Sequence, residues 1–287
     1  MQFRPMSGTD KMISIIALPL SKEVQMPFAN VDGSKIYYRE QGNGAPLVML
    51  LPQSGGPVGV DPFLNALALR FRVITYDQRG TGRSDPVTTS DGMTMMGRSA
   101  EIVGLLNTLK IDQAHLCGHS TGCGIGIATT SAAPNRISRL ILVNPWSHGD
   151  RHLITMQRLR IAAARALDPY RYTWFNASLL FPPMHRREHA ADFEQLALEA
   201  APQDANQIEA RLEAIIAFDA RPLASNLNCP SLVATAADDQ LMPAWFGTDL
   251  AGLIPDATLL ALDGGGHMLP ETRGLELAAE ISTFLTA

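Results

Sequence analysis

The 287-residue sequence has few cysteines, few charged residues and no long apolar segment. Its three cysteines, Cys117, Cys123 and Cys229, cannot all pair, and each falls beside a predicted core element. We therefore expect buried thiols, which are consistent with a cytoplasmic protein. Charged residues make up 18% of the chain and the formal net charge is −5, which argues against a nucleic-acid partner. Apolar runs fall well short of the roughly 20 residues of a membrane span, so we expect no membrane partner.

Residues 1–26 are predicted to form an N-terminal extension. The apolar stretch 12–20 faintly resembles the central part of a secretory signal, but Asp10 precedes it and no clear cleavage site follows. We interpret this segment as an extension that packs in part against the main domain or against a partner.

The rest of the chain is predicted to form one large α/β domain that carries an insertion. Residues 27–145 alternate strand and helix signals, and the pattern returns in residues 226–287, as expected for a mostly parallel sheet flanked by helices. Residues 146–225 contain no convincing strand. Their helical segments lie near 152–166, 170–180, 187–200 and 205–218, with prolines between them, which predicts an inserted helical cap.

The sequence Gly-His-Ser-Thr-Gly at residues 118–122 carries the clearest chemical signal. An apolar run precedes it, and a stretch of small residues that can start a helix follows it. A strand, a sharp turn and a helix with serine at the apex form a nucleophile elbow. Ser120 is therefore the candidate nucleophile, and a hydroxyl needs a base to become reactive.

A candidate acid and a candidate base follow Ser120 in chain order. A buried strand is predicted at 230–237 and ends at Asp238 and Asp239, and another at 257–262 is followed by His267. An acid after one strand and a histidine after the next is the order of a catalytic triad on this kind of sheet. His267 would take the Ser120 proton, and an aspartate would orient the imidazole.

Four sequence blocks in the right order resemble the α/β-hydrolase superfamily, from about residue 28 to the end: 36–40, 46–51, 76–85 and 118–122. Residues 77–82, 143–146 and 211–214 are similar to aminoacrylate hydrolases and enol-lactone hydrolases. The resemblance implies an α/β-hydrolase fold with a helical cap. It favours Asp239 over Asp238 as the acid, because Asp-x-x-x-Pro is the usual spacing, here ending at Pro243; Asp238 stays as the alternative.

The resemblance also implies an oxyanion hole, a pair of backbone N–H groups that stabilise the negative oxygen of a tetrahedral intermediate. By position, Ser54 and Thr121 would supply these groups. The loop departs from the usual His-Gly pattern, because it begins with Pro52 and Gln53. The Gln53 side chain either adds a donor or touches the substrate, or it turns outward; both alternatives stay open.

The cap is expected to close over the serine and to shape the substrate pocket. Trp146, Phe175 and Met242 are the candidate substrate contacts, together with Gln53, although apolar residues at such positions more often belong to the packed core. Basic cap residues could meet a substrate carboxylate, but a basic stripe on a helix more often faces solvent. These are Arg151, Arg158, Arg160 and Arg165.

The remaining histidines are interpreted as structural. His119 is expected to pack beneath the elbow. His148 with His152, and His185 with His189, have the spacing of metal ligands on a helix, but no third ligand stands nearby. We therefore expect neither a metal nor a cofactor.

The sequence thus predicts a cytoplasmic serine hydrolase that acts on a small ester, lactone or amide-like substrate. Three alternatives remain: a C–C bond hydrolase, a cofactor-free perhydrolase, and a member of the fold that binds a ligand without turnover. A homodimer is also left open.

Overall fold

The structure is a computed structural model, and it describes residues 28–51, 55–87 and 90–287. The predicted extension at 1–26 and the candidate residues Gln53 and Ser54 lie outside the described residues. Within these ranges the centre of the fold is an eight-stranded sheet with the strand order β1-β2-β4-β3-β5-β6-β7-β8. Its strands are β1 (Phe28–Val31), β2 (Ser34–Gln41), β3 (Ala45–Leu50), β4 (Phe71–Tyr76), β5 (Ala114–His119), β6 (Ile137–Val143), β7 (Ser231–Ala236) and β8 (Ala257–Leu262).

The sheet is antiparallel only at one edge, where β2 pairs with both β1 and β4. Every pairing from β4 through β3, β5, β6 and β7 to β8 is parallel. Parallel strands of this kind are covered on both faces, and all six residues of β7 are accordingly buried. The predicted mostly parallel sheet is confirmed.

Helices cover both faces of the sheet and form the insertion. In chain order they are α1 (Asp61–Ala68), α2 (Met95–Thr108), α3 (Thr121–Ala132), α4 (Arg151–Ala166), α5 (Pro169–Leu180), α6 (Pro183–Glu188), α7 (Ala190–Leu198), α8 (Ala205–Ala217), α9 (Arg221–Ala224), α10 (Ala244–Leu253), α11 (Leu269–Thr272) and α12 (Gly274–Thr286). Helices α1 and α12 pack together over one apolar cluster, and α2 and α3 pack together over a second.

Local sequence signals set the starts of the cap helices α4 to α9. The side chains of Asp150, Asp168 and Asp204 accept backbone N–H groups at the starts of α4, α5 and α8. Proline occupies the first position of α5 and of α6, where the missing N–H is tolerated. The helix predicted over 187–200 differs, because α6 ends at Glu188 and α7 begins at Ala190.

Two further expectations concern the cysteines and the membrane. Cys117, Cys123 and Cys229 are free and buried, which confirms the expected buried thiols. Burial raises the pKa of the Cys117 thiol to about 12, so this group stays protonated at neutral pH. Among the described residues, every helix is too short or too polar to cross a bilayer.

Candidate active site

Ser120 lies in the sharp turn between the end of β5 and the start of α3. Its backbone adopts φ +54° and ψ −120°, a conformation that is strained for a residue with a side chain. Ser120 N donates to Val143 O at 3.0 Å and so fixes the turn to the end of β6. A Cβ atom on Gly118 would overlap the carbonyl of Gly122, and one on Gly122 would overlap that of Leu50. The two glycines of the motif therefore permit the close approach that the elbow requires.

His267 bridges Ser120 and Asp239 in a continuous hydrogen-bonded chain. Its Nε2 lies 2.8 Å from Ser120 Oγ, and its Nδ1 lies 2.8 Å from Asp239 Oδ2. An ionised carboxylate can only accept, so Nδ1 carries the proton and Nε2 of the neutral ring is free to accept the serine hydroxyl. The His267 and Asp239 side chains are both buried. The structure thus brings the three predicted triad residues together in the order that the mechanism needs.

Asp239, and not Asp238, holds the histidine ring. Asp239 Oδ1 accepts the backbone N–H groups of Leu241 and Met242, each at 2.9 Å, which leaves Oδ2 directed at His267. Asp238 is exposed, and its Oδ1 accepts Gly266 N at 2.7 Å. Asp238 therefore lies at the protein surface and stabilises the loop before His267 through this hydrogen bond.

Asn144, at the end of β6, connects the acid and the histidine. Its amide Nδ2 lies 2.8 Å from Asp239 Oδ2, 2.8 Å from Gly266 O and 3.1 Å from His267 O. The backbone of Asn144 has φ +49°, a left-handed conformation that asparagine tolerates better than most residues. Asn144 lies within the 143–146 block of the resemblance but was not predicted as a site residue. The available signal was a polar residue directly after a buried apolar strand.

His119 packs beneath the elbow, as predicted for a structural histidine. Its Nε2 donates to the backbone carbonyl of His267 at 2.6 Å, and the two rings are 5.1 Å apart. Burial, followed by the nearby His267, lowers the pKa of His119 to about 3. His119 is therefore a neutral hydrogen-bond donor that anchors the catalytic loop.

The N-terminus of α3 faces the same site. Thr121 is the first residue of this helix, where backbone N–H groups have no acceptor within the helix and carry a partial positive charge. The adjacent loop is held by Glu271, whose carboxylate accepts Gly56 N at 2.7 Å and Val58 N at 3.0 Å. Glu271 is buried and was not identified from the sequence, because its partners lie more than 200 residues away.

A cavity opens beside Ser120 between the sheet and the cap. Ser120 and His267 of the triad both line it. Among the described residues it is lined by Leu51, Gln78, His119, Ser120, Thr121, Arg160, Leu180, Arg211, Leu212, Ile215, Leu241, His267 and Met268.

The three predicted apolar contacts occupy different places. Met242 is buried, with its Sδ 3.9 Å from Ser120 Oγ, next to the nucleophile. Trp146, Phe175 and Met242 are all absent from the described residues that line the cavity, and their roles as substrate contacts stay predictions. Trp146 is fully buried edge-on against Phe218, and Phe175 stacks on Tyr172 within the cap. Apolar residues of a cap have the same pattern in the sequence whether they pack with one another or face a ligand.

The histidine pairs of the cap do not form part of a larger ligand set. His185 and His189 lie with their rings 4.6 Å apart, and His152 Nε2 donates to the backbone carbonyl of Gln240 at 3.0 Å. Within the described residues, no group of three or more His, Cys, Asp or Glu side chains is arranged to hold a metal ion.

The sheet order, the strained serine and its histidine–aspartate chain define an α/β hydrolase. Comparison with known families agrees, because the family described as the alpha/beta hydrolase fold matches residues 46–273, and the chain belongs to this family. The resemblance that the sequence blocks indicated is thereby confirmed.

Similar proteins of known name indicate which kind of compound this α/β hydrolase acts on. The chain is 33% identical to "Putative carbamate hydrolase RutD" of Azorhizobium caulinodans over 244 residues, which are 84% of this chain and 91% of the relative. The protein of the same name from Variovorax paradoxus is 32% identical over 271 residues, which are 93% and 96% of the two chains. The enol-lactonase from Burkholderia xenovorans LB400 superposes with a TM-score of 0.80 at 26% identity, covering 91% of this chain and all of that one. The chain is therefore a hydrolase of small-molecule carbonyl compounds.

Proposed function

We propose that this hydrolase cleaves its substrate through an acyl-enzyme formed on Ser120. The observation that carries the proposal is the unbroken chain from Ser120 Oγ through His267 to Asp239, with two contacts of 2.8 Å, beside an open cavity. A nucleophile, a base and a group that orients the base are the parts that serine-based acyl transfer requires.

The proposed reaction proceeds in two halves. In the first, Ser120 Oγ bonds to the carbonyl carbon while its proton passes to His267 Nε2, and His267 then protonates the leaving oxygen or nitrogen as that bond breaks. In the second half, His267 takes a proton from the water that attacks the acyl carbon, and it returns this proton to Ser120 Oγ as the acyl–oxygen bond breaks and the acid leaves. Asp239 stabilises the imidazolium in both halves and keeps the ring in its orientation.

The negative oxygen of each tetrahedral intermediate would lie at the N-terminus of α3. Thr121 N is proposed as one donor, and Ser54 N, by its position in the sequence, as the second. Each such donor contributes roughly 3 kcal/mol to stabilisation of the transition state. Glu271 supports this arrangement, because it holds the loop segment that directly follows residue 54.

The proposed substrates are small esters, lactones and amide-like compounds, including carbamates. Carbamate and enol-lactone appear in the names of the similar proteins, and both are carbonyl groups that a serine can attack. Apolar cap residues in the cavity wall, Leu180, Leu212 and Ile215, suit a short carbon skeleton. The three buried free cysteines fit the cytoplasmic location that we also propose.

The test is hydrolysis of p-nitrophenyl acetate and butyrate, followed by release of p-nitrophenol and by mass spectrometry of the quenched enzyme, both intact and after digestion into peptides. We expect turnover, an acetyl group on the peptide that contains Ser120, and a loss of about 10⁴-fold or more in Ser120→Ala and His267→Ala. Undiminished turnover in a folded Ser120→Ala variant would refute the acyl-enzyme. Binding without turnover in the native protein would favour the ligand-binding alternative.

The neighbouring aspartates provide a matched pair of controls. Asp239→Asn should lower kcat by about 10³- to 10⁴-fold, because an amide at this position no longer fixes the His267 tautomer. Asp238→Asn removes the same negative charge one residue away and keeps an oxygen that can accept Gly266 N. We therefore expect kcat to fall by less than about tenfold. Equal losses in both variants would contradict the assignment of Asp239.

A further inference from the structure

Arg160 is a buried cation in the wall of the catalytic cavity. It lies on α4 of the cap, its side chain is 6% exposed, and it lines the cavity together with Ser120. Arg151, Arg158 and Arg165 on the same helix are exposed to solvent. One of the four arginines that could meet a substrate carboxylate is thus directed towards the site, while the other three form the solvated face.

The polar atoms around Arg160 are not all satisfied. Arg160 Nη1 donates to Gln157 Oε1 at 3.0 Å, but Arg160 Nε is buried without an acceptor among the described residues. Gln157 Nε2 is likewise buried without an acceptor there. Arg160 also takes part in none of the ion pairs between described residues. Two adjacent buried groups therefore offer unused N–H donors, which is costly unless a ligand accepts from them.

The described charged residues in the cavity wall, apart from the histidines, are two arginines. Arg211, on α8, places a second guanidinium in the same wall, and the described lining residues include no aspartate or glutamate. Burial, followed by the charge of Arg211, lowers the pKa of Arg160 to about 10, which still leaves the group charged at neutral pH. A buried cation such as Arg160 in a partly desolvated cleft attracts an anion.

We propose that Arg160 binds a carboxylate at the non-reacting end of the substrate, so that the enzyme selects small carbonyl compounds that also carry a carboxylate. This proposal rests on the proposed function of Ser120 in the same cavity. A guanidinium presents N–H groups in a planar fork that matches a carboxylate, and Gln157 Nε2 lies beside it as a further donor. The carboxylate thereby directs the scissile carbonyl towards Ser120.

The test compares two substrates that differ only in charge: mono-p-nitrophenyl succinate and its methyl ester. The native enzyme should have the higher kcat/KM on the anionic substrate. Arg160→Gln should lower kcat/KM for the anion by about 10- to 100-fold and change that for the methyl ester by less than about threefold, because only the charge-assisted hydrogen bonds are lost. Arg158→Gln, an exposed arginine on the same helix, should keep the native preference.

Two kinetic results would overturn the proposal: a native enzyme that does not prefer the anion, or an Arg160→Gln variant that loses the same factor on both substrates. Calorimetric titration with monomethyl succinate tests binding separately from turnover and uses the native and Ser120→Ala proteins. Binding in both proteins would support the anion site even if neither ester were hydrolysed, which would count against the acyl-enzyme alone. Absence of binding at millimolar concentration would refute the anion site even if Arg160→Gln failed to fold.

Discussion

Replacing His119 by glutamine should change how the stability of the protein depends on pH. His119 is 3% exposed and donates through Nε2 to the carbonyl of His267, and burial lowers its pKa from 6.5 to about 3. In the unfolded chain the ring titrates near 6.5, so below that pH the unfolded state binds a proton that the folded state does not. The free energy of unfolding therefore falls as the pH decreases from about 6.5 towards 3.

The magnitude follows from these two pKa values. Each pKa unit corresponds to about 1.36 kcal/mol, and pH 5 is about 1.5 units below the pKa of the unfolded group. At pH 5 the neutral His119 should thus cost the folded state about 2 kcal/mol, and at pH 7 only a few tenths. Glutamine can donate to the same carbonyl and does not titrate, so this pH-dependent cost should disappear in His119→Gln.

Urea unfolding followed by tryptophan fluorescence, at pH 7 and at pH 5, measures the effect. Relative to the native protein, His119→Gln should gain about 2 kcal/mol on going from pH 7 to pH 5, whatever its stability at pH 7. His115→Gln is the matched control on the same strand: burial also lowers the pKa of His115, but its ring is only half-buried, so the gain should be smaller. Parallel stability curves for the native protein and His119→Gln would refute a buried, neutral His119.

Two further predictions concern residues near the catalytic cavity. Glu271→Ala should lower kcat by about tenfold or more, because Gly56 N and Val58 N lose their acceptor next to the proposed oxyanion loop. The control is Glu276→Ala, which changes an exposed glutamate, and an unchanged kcat in Glu271→Ala would show that Glu271 does not support catalysis. Trp146→Phe should lower the free energy of unfolding by about 1–2 kcal/mol and leave KM within about twofold, because the indole fills the core. If Trp146→Phe left the stability unchanged and raised KM, Trp146 would be a substrate contact and not a core residue.

The parts of the site that could be predicted are those determined by short stretches of chain. The two glycines around Ser120 encode the turn, and the strands before Asp239 and His267 are apolar enough to be recognised. Because parallel strands end at one edge of a sheet, residues that follow them converge without any knowledge of the long-range packing. The order of three residues along the chain was therefore sufficient to predict their proximity in space.

The parts that could not be predicted depend on contacts between distant segments. Arg158 and Arg160 look alike in the sequence, and only the packing of α4 against α8 turns Arg160 inward. Glu271 acts on backbone N–H groups more than 200 residues away, which no side-chain pattern records. The choice between Asp238 and Asp239 rested on a spacing, whereas the structure separates them by burial and by hydrogen-bond partner.

The end of helix α5 joins the cap to the catalytic loop. Leu180 O accepts both His267 N at 3.0 Å and Met268 N at 3.3 Å. A Cβ atom on Gly266 would lie 2.8 Å from the ring of Pro182, so the chain on both sides of Phe181 is fitted closely to this loop. Moving this part of the cap would displace His267 itself. Any opening that admits substrate while preserving the triad should therefore leave the end of α5 in place, because His267 N and Met268 N both donate to Leu180 O.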